Sequence, residues 1–240
     1  MKKLPTKAHF EFTGFMELVT DVIYHIKALS SDDGFSQHKN SRAAVIACAL
    51  AVESCANCLL DSLDIPTQSS SELERLPTIT KLDVCIRLHT SGLKVINRGD
   101  SRVAKMAELL KVRNEFVHPK RQTLDAEWGV DAEDPDGYRI EFEYSDKFHQ
   151  QLGIPKTGLH WNSSHAISVA EATFTFFDFL FRELLQLEVG EVYHLVGSRM
   201  VAELSEDNSQ MIASGPVDQY EELLTWAANS GLAIQFLRNA

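Results

Sequence analysis

Lys111-Val112-Arg113-Asn114-Glu115-Phe116-Val117-His118-Pro119-Lys120 closes an amphipathic helix that begins near Asp100. At about 100° per residue, its apolar stripe comprises Val103, Met106, Leu109, Leu110, Phe116 and Val117. Arg113 falls inside that stripe, while Glu108, Lys111 and Glu115 occupy the other face. An arginine aimed at a core or an interface needs a partner, because a buried unpaired charge is very costly. His118 precedes Pro119, which disfavours helical dihedrals at position 118. The helix is therefore expected to end near Val117. In an unbroken helix Arg113 and His118 would stand about 140° apart around the axis. Termination relaxes that angle and lets both side chains reach one cleft.

Working back from this helix, Asp100 or Ser101 is its expected N-cap. A helix is expected from Thr78 or Thr80 to about His89, with Leu82, Ile86 and Leu88 as its apolar positions. Residues 64–77 read as a loop, with Pro66, a serine run and Pro77. A long helix runs from about His38 to Leu63, with Asn40 or Ser41 able to cap it. From Ala43 to Val52 every residue is apolar and most are small, the pattern of a helix buried on nearly all sides. Glu53 and, one turn on, Asn57 form a polar pair in this apolar segment. Glu53 is the candidate counter-ion for Arg113, both as an ion pair that fixes helix register and as a group that orients the arginine. Residues 9–30 read as a first helix carrying Phe12, Phe15, Met16, Val19, Ile23 and Ile26.

Downstream the period changes. Glu127–Val130 and Tyr138–Tyr144 alternate as strands do, and Asp134-Pro135-Asp136-Gly137 between them reads as a turn. This predicts a β-hairpin near 126–144, placed either as a wall of the cleft or as surface decoration. Residues 145–162 read as irregular. Asn162, Ser163 or Ser164 then caps a helix to about Leu187, with Ala170, Phe174, Phe177, Leu180, Phe181 and Leu184 toward a core. Its further phenylalanines, Phe176 and Phe179, exceed one face and imply a second helix layer or a dimer interface. His160 and His165 fit surface or capping roles better than a metal site. Gly190–Leu204 fits helix or strand, and Val217–Asn229 a short helix. The expected architecture is an all-α antiparallel helical bundle over 1–189 with a small β-hairpin insertion, and a C-terminal extension, 190–240, packed on the bundle.

With 240 residues and 44% hydrophobic content, the composition is that of an ordinary globular protein. There is no run of 18 uninterrupted apolar residues, so no membrane span is expected. Met1-Lys2-Lys3-Leu4-Pro5 is not followed by an apolar stretch, so no secretory signal is expected. Cys48, Cys55 and Cys58 are spaced by seven and three, one helical face, and Cys85 also falls in a helical segment. They read as core thiols in a reducing cytoplasm. Cys55-x-x-Cys58 lacks a second ligand pair for zinc. A net charge of −11 argues against a passive nucleic-acid coat. Residues 102–121, however, hold six cationic side chains against Glu108 and Glu115, a local +4 that leaves −15 elsewhere. Within that segment Lys111, Lys120 and Arg121 flank the helix end and are candidate RNA-backbone contacts.

Arg113-Asn114-Glu115-Phe116-Val117-His118, at the end of a bundle helix, resembles the Arg-x(4–6)-His signature of the HEPN superfamily. The resemblance covers the signature and, loosely, the helices over residues 10–190. It implies a metal-independent ribonuclease of defence, toxin–antitoxin or RNA-processing systems, although other members of the superfamily are non-catalytic. It also implies a homodimer whose two signatures meet at a two-fold cleft, RNA as substrate, no cofactor, and an antitoxin or regulatory protein as a further partner. The catalytic residues would be Arg113 and His118, with Asn114, Glu53 and Asn57 supporting them. RNA cleavage by attack of the 2′-hydroxyl needs a proton-transfer group and a cation for the phosphate, which His118 and Arg113 supply. Two other classes compete. One is a non-catalytic helical module that binds a partner protein or a nucleotide, with Arg113 and Glu53 purely structural. The other is a metal hydrolase, for which the chain lacks a convincing HxxxH or HxD ligand pair.

Overall fold

Along the chain, the secondary structure runs β1 (Pro5–Glu11), α1 (Gly14–Lys27), α2 (Gly34–Asp61), α3 (Thr67–Glu74), α4 (Thr78–His89), α5 (Ser101–Val117), β2 (Ala126–Val130), β3 (Tyr138–Phe142), β4 (Phe148–His149), β5 (Ile154–Pro155), α6 (Ser163–Asp178), α7 (Val189–Val196), β6 (Arg199–Leu204), β7 (Gln210–Ser214) and α8 (Asp218–Asn229). This is a computed structural model that describes the chain except residues 1–4, 31–32, 120, 122–125, 131–137, 143–146, 205–209, 215–217 and 239–240. Helix dominates, as the sequence implies.

α2 is the central element, contacting α1, α3, α4, α5, α6 and α7. Ala44, Val45, Ala47, Cys48, Ala49, Ala51, Val52, Cys55 and Ala56 are all buried along it. Small side chains on several faces let neighbouring helices approach at once, which a leucine-rich helix would prevent. The best 18-residue window of α2 has a mean hydropathy of 1.9. That is long and apolar enough to cross a membrane, yet 67% of the window is buried inside the fold, as in a core helix. Its start lies earlier than the sequence suggests. The Asp33 carboxylate accepts the N–H groups of Phe35 and Ser36 at 3.1 Å, so Asp33, not Asn40 or Ser41, is the cap.

Two expected loops contain structure. Residues 67–74 form α3, a short helix with no buried residue, whose polar composition hid it. The stretch 145–162 holds the small β4–β5 hairpin and a 3-10 turn over Gly158–His160. The expected first helix over 9–30 is corrected at its start. Residues 5–11 are a strand, Phe12 is 64% exposed, and α1 begins only at Gly14. β1 pairs antiparallel with β6, and β6 with β7, in a three-stranded sheet of order β1-β6-β7 that helical periodicity did not reveal. The expected hairpin is present as β2 paired with β3, with Trp128 opposite Ile140, while its Asp134–Gly137 turn lies outside the described residues.

α6 starts at the Asn162 capping box, in which the Asn162 side chain accepts the His165 N–H and the His165 ring accepts the Asn162 N–H. It continues as a π-helical segment over Phe179–Leu184. Phe174, Phe176 and Phe177 are buried before the wider turn, and Phe179, Leu180 and Phe181 within it. Phe15 of α1 and Phe236 near the C-terminus complete the cluster, with Phe15–Phe177 centroids at 5.0 Å and Phe181–Phe236 at 5.8 Å. The surplus phenylalanines thus cover an intramolecular layer. Where α7 leads into β6 the chain needs a glycine: a Cβ at Gly197 would sit 2.5 Å from the Tyr193 carbonyl oxygen.

Because Ala49 is fully buried on the central helix, Ala49→Leu is expected to overpack the bundle and cost about 1–3 kcal/mol. Urea unfolding monitored by far-UV circular dichroism measures it, and a midpoint equal to wild type would contradict the central packing of α2.

Candidate functional site

α5 begins at Asp100, whose carboxylate accepts the Arg102 N–H at 2.8 Å, and ends where Pro119 requires. The His118 N–H donates to the Asn114 carbonyl at 3.1 Å, and the backbone at His118 (φ −119°, ψ 60°) leaves the helix. Val103, Met106, Leu109 and Val112 are buried, Leu110 and Phe116 partly so, and Val117 is 45% exposed. The buried stripe therefore advances mainly in steps of three through Val112, which the sequence reading did not include. Arg113 lies at its edge rather than inside it.

Arg113 forms an ion pair with Glu53 of α2, their side chains 19% and 33% exposed. This is the partner the apolar setting demands, in a half-buried seam rather than a closed core. Arg113 Nε is buried without a hydrogen-bond partner among the described residues. His118 is exposed at the end of the same helix, and Asn114 is exposed one turn before it. The link between Asn114 and His118 is through the backbone, not the side chains. Asn57 does not join the pair. Its side-chain oxygen accepts from Lys81 Nζ at 2.7 Å, which draws it toward α4. Lys111 and Arg121 are exposed beside the helix end. Lys120 lies outside the described residues. Arg102 is committed elsewhere, bonded at 2.8 Å to both Asp100 and Glu183 and lying 3.7 Å from the Phe179 ring centre.

A cleft of about 450 Å³ opens beside this helix end, lined by Glu115, Phe116 and Pro119 of the signature region. Neither Arg113 nor His118 lines it. Arg42 of α2 forms one wall, with its guanidinium carbon 5.0 Å from the Phe116 ring centre. Phe116 in turn stacks on Trp161 at 6.0 Å and 20°. The third wall is the segment carrying β4 and β5. Glu108 of α5 accepts the N–H groups of Gln151 and Leu152 at 2.7 and 2.8 Å, and the Trp161 indole donates to the Pro155 carbonyl at 2.7 Å. These bonds bring His149 and Lys156 to the cleft. Burial pushes the His149 imidazole below the usual histidine range, assisted by Lys156 and opposed by Glu115 and Glu108. Sequence reasoning missed Arg42, His149, Lys156 and Trp161. An arginine directly before the Ala43–Val52 run was the one available signal.

A larger cavity, about 790 Å³, lies where α2 ends, lined by Cys58, His89, His194 and Arg199. The His89 Nε2 sits 3.2 Å from the Leu59 carbonyl and 3.1 Å from the Ser62 hydroxyl. Cys58 is a poor nucleophile there, since burial raises its thiol to about 11. The other cysteines are also free and buried. Burial raises Cys48 to about 12 and Cys85 to about 11, and lifts Cys55 well above the ordinary thiol range. Among the described residues no group of three His, Cys, Asp or Glu side chains is placed to hold a metal ion. Comparisons of the chain with family models, with curated proteins and with solved structures find no match.

Two measurements probe this geometry. Glu53→Gln is expected to destabilise by about 1–2 kcal/mol, between the values for exposed and buried pairs. A double-mutant cycle with Arg113→Gln isolates the coupling, and zero coupling would remove the pair as a structural element. The second probe is pH. His149 and His165 both have pKa values lowered by burial, so the unfolded chain binds more protons just below about 6.5. Their contribution is fully present above that pH and is lost as pH falls through the folded-state values. Denaturant midpoints from pH 7.5 to 5 are expected to decline, and less steeply in His149→Gln. An equal decline in both proteins would exclude His149 as a source.

Proposed function

We propose that the chain is a metal-independent endoribonuclease of the HEPN kind, working as a homodimer in the cytoplasm in a defence or toxin-type role, with an antitoxin or regulatory protein as a further partner. The carrying observation is the end of α5, where Arg113 is held by Glu53 and His118 stands exposed five residues on. The reaction needs no metal. The RNA 2′-hydroxyl gives up its proton and attacks the adjacent phosphorus, and the P–O5′ bond breaks. The departing O5′ takes a proton, which leaves a 2′,3′-cyclic phosphate and a 5′-hydroxyl. His118 transfers a proton, and Arg113 stabilises the extra charge on the phosphorane-like transition state. Glu53 is a positioning residue, restricting the rotamers of Arg113. Lys111 and Arg121, with Lys120, add cationic contacts for the RNA backbone. In the homodimer a second copy of the signature faces the first across the two-fold axis, so that two histidines serve one phosphodiester.

A second reading is a non-catalytic module binding a partner protein or a nucleotide. It is favoured by the Arg113–Glu53 pair, which gives the guanidinium a carboxylate partner without a substrate. Incubation of purified protein with mixed structured RNA in excess chelator separates the two. Cleavage with cyclic phosphate ends is expected, together with losses of about 10²–10⁴-fold in His118→Ala and a comparable loss in Arg113→Ala, both variants remaining folded. Retention of cleavage in either variant would falsify the catalytic assignment. No cleavage by the wild-type protein over a broad substrate set would favour the binding module.

A further inference from the structure

The cleft beside Pro119 holds charge that the Arg113–His118 pair does not use. Arg42, Lys156 and His149 reach it from three separate parts of the chain: α2, the residue after β5, and β4. Arg42 has one guanidinium face near Phe116, its Nε is buried without a hydrogen-bond partner, and it makes no ion pair among the described residues. Lys156 is exposed and likewise makes no ion pair among the described residues. His149 is only 5% exposed, and its Nε2 is buried with no hydrogen-bond partner among the described residues. The Glu115 carboxylate stands 3.8 Å from that nitrogen. Buried nitrogen groups without partners are rare in folded proteins. Here two of them line one cavity together with a free ammonium group.

We propose that this cleft is a phosphate subsite for one nucleotide of single-stranded RNA, next to the nucleotide being cleaved. The inference rests on the ribonuclease reading for the identity of the larger ligand. A phosphate fits because its oxygens spread over several directions and accept from a guanidinium, an ammonium and an imidazole together. The two fixed cations outnumber Glu115, the one carboxylate on the described walls. The volume of about 450 Å³ exceeds what a bare anion needs and lies in the range of small-molecule sites, so a sugar or base enters with the phosphate. Single-stranded RNA can turn one nucleotide out of its stack into such a cleft, whereas a duplex holds its bases inside. Pro119 lines the cleft and directly follows His118, so a strand held here continues to the helix end that carries the signature.

Fluorescence anisotropy of a fluorescein-labelled hexauridylate tests this, using the full chain in a His118→Ala background and inorganic phosphate as competitor. At about 0.1 M salt, Arg42→Gln/Lys156→Gln is expected to weaken hexauridylate binding at least about tenfold. The slope of log affinity against log salt should fall by about 0.7, for the one single-strand phosphate that the two cations share. Lys156→Gln alone, at an exposed unpaired position, should give part of that loss without disturbing the fold. Glu115→Gln, which removes the repelling carboxylate, should tighten binding. Affinity unchanged in the double variant overturns the subsite. So does a wild-type cleft that binds inorganic phosphate but not hexauridylate, which would mark it as a free-anion site. Chelator-resistant cleavage measured in parallel with His118 restored keeps the two claims apart. Cleavage with unchanged affinity in the double variant defeats the subsite alone, and variant-sensitive binding without cleavage defeats the ribonuclease reading alone.

Discussion

The fold depends on enclosing one small-residue helix from many sides. α2 carries alanine, valine and cysteine where other core helices carry leucine and phenylalanine, so its neighbours approach it closely. Such a helix leaves little room for polar side chains except at seams between the elements that cover it. The polar residues of α2 mark those seams. Arg42 meets Phe116 toward the end of α5, Glu53 meets Arg113 one turn before it, and Asn57 meets Lys81 of α4. Two of these contacts, at Arg42 and Glu53, join α2 to α5. Their polar contacts fix the sliding position that apolar packing alone leaves loose.

That register places two chemically different features at one end of α5. On one side an arginine is held by a carboxylate and a histidine faces solvent. On the other, an arginine, a lysine and a buried histidine line a cleft with an aromatic floor. Glu108 connects them mechanically. It caps the turn at Gln151 and Leu152 and so ties the β4–β5 segment to the helix that carries both. The cleft is a product of tertiary structure, while the Arg113–His118 arrangement is largely a product of one helix and its terminating proline.

This difference explains what could be read from the sequence. Helix ends governed by local chemistry were legible: Asp100 as a cap, Pro119 as a stop, Asn162 with His165 as a start. The Glu53–Arg113 pair was legible because two charges stood on apolar surfaces and each needed the other. The strand at residues 5–11 was not, since its partner lies at 199–204 and periodicity measures only nearby residues. Phe12 looked like a helix position, yet it stands 64% exposed just past the end of β1. Lys156 carried no signal at all, because a lysine in an irregular stretch is ordinary until the fold brings it to a cavity. The segment over Phe179–Leu184 shows a third kind of miss: the phenylalanines were visible, but the wider turn that carries Phe179 and Phe181 was not.

The pairing of β1 with β6 also sets a timetable. Glu11 and Arg199, which bond across the two strands, are 188 residues apart in the chain. At synthesis rates of about 5–20 residues per second, β1 waits roughly 10–40 s after leaving the ribosome before its partner strand exists. The helices around α2 can assemble during that interval from contacts nearer in sequence, while the first strand stands with open hydrogen-bonding edges and an exposed Phe10. β1 therefore stays exposed to aggregation until β6 arrives and pairs one of its edges, and its other edge remains open in the finished β1-β6-β7 sheet.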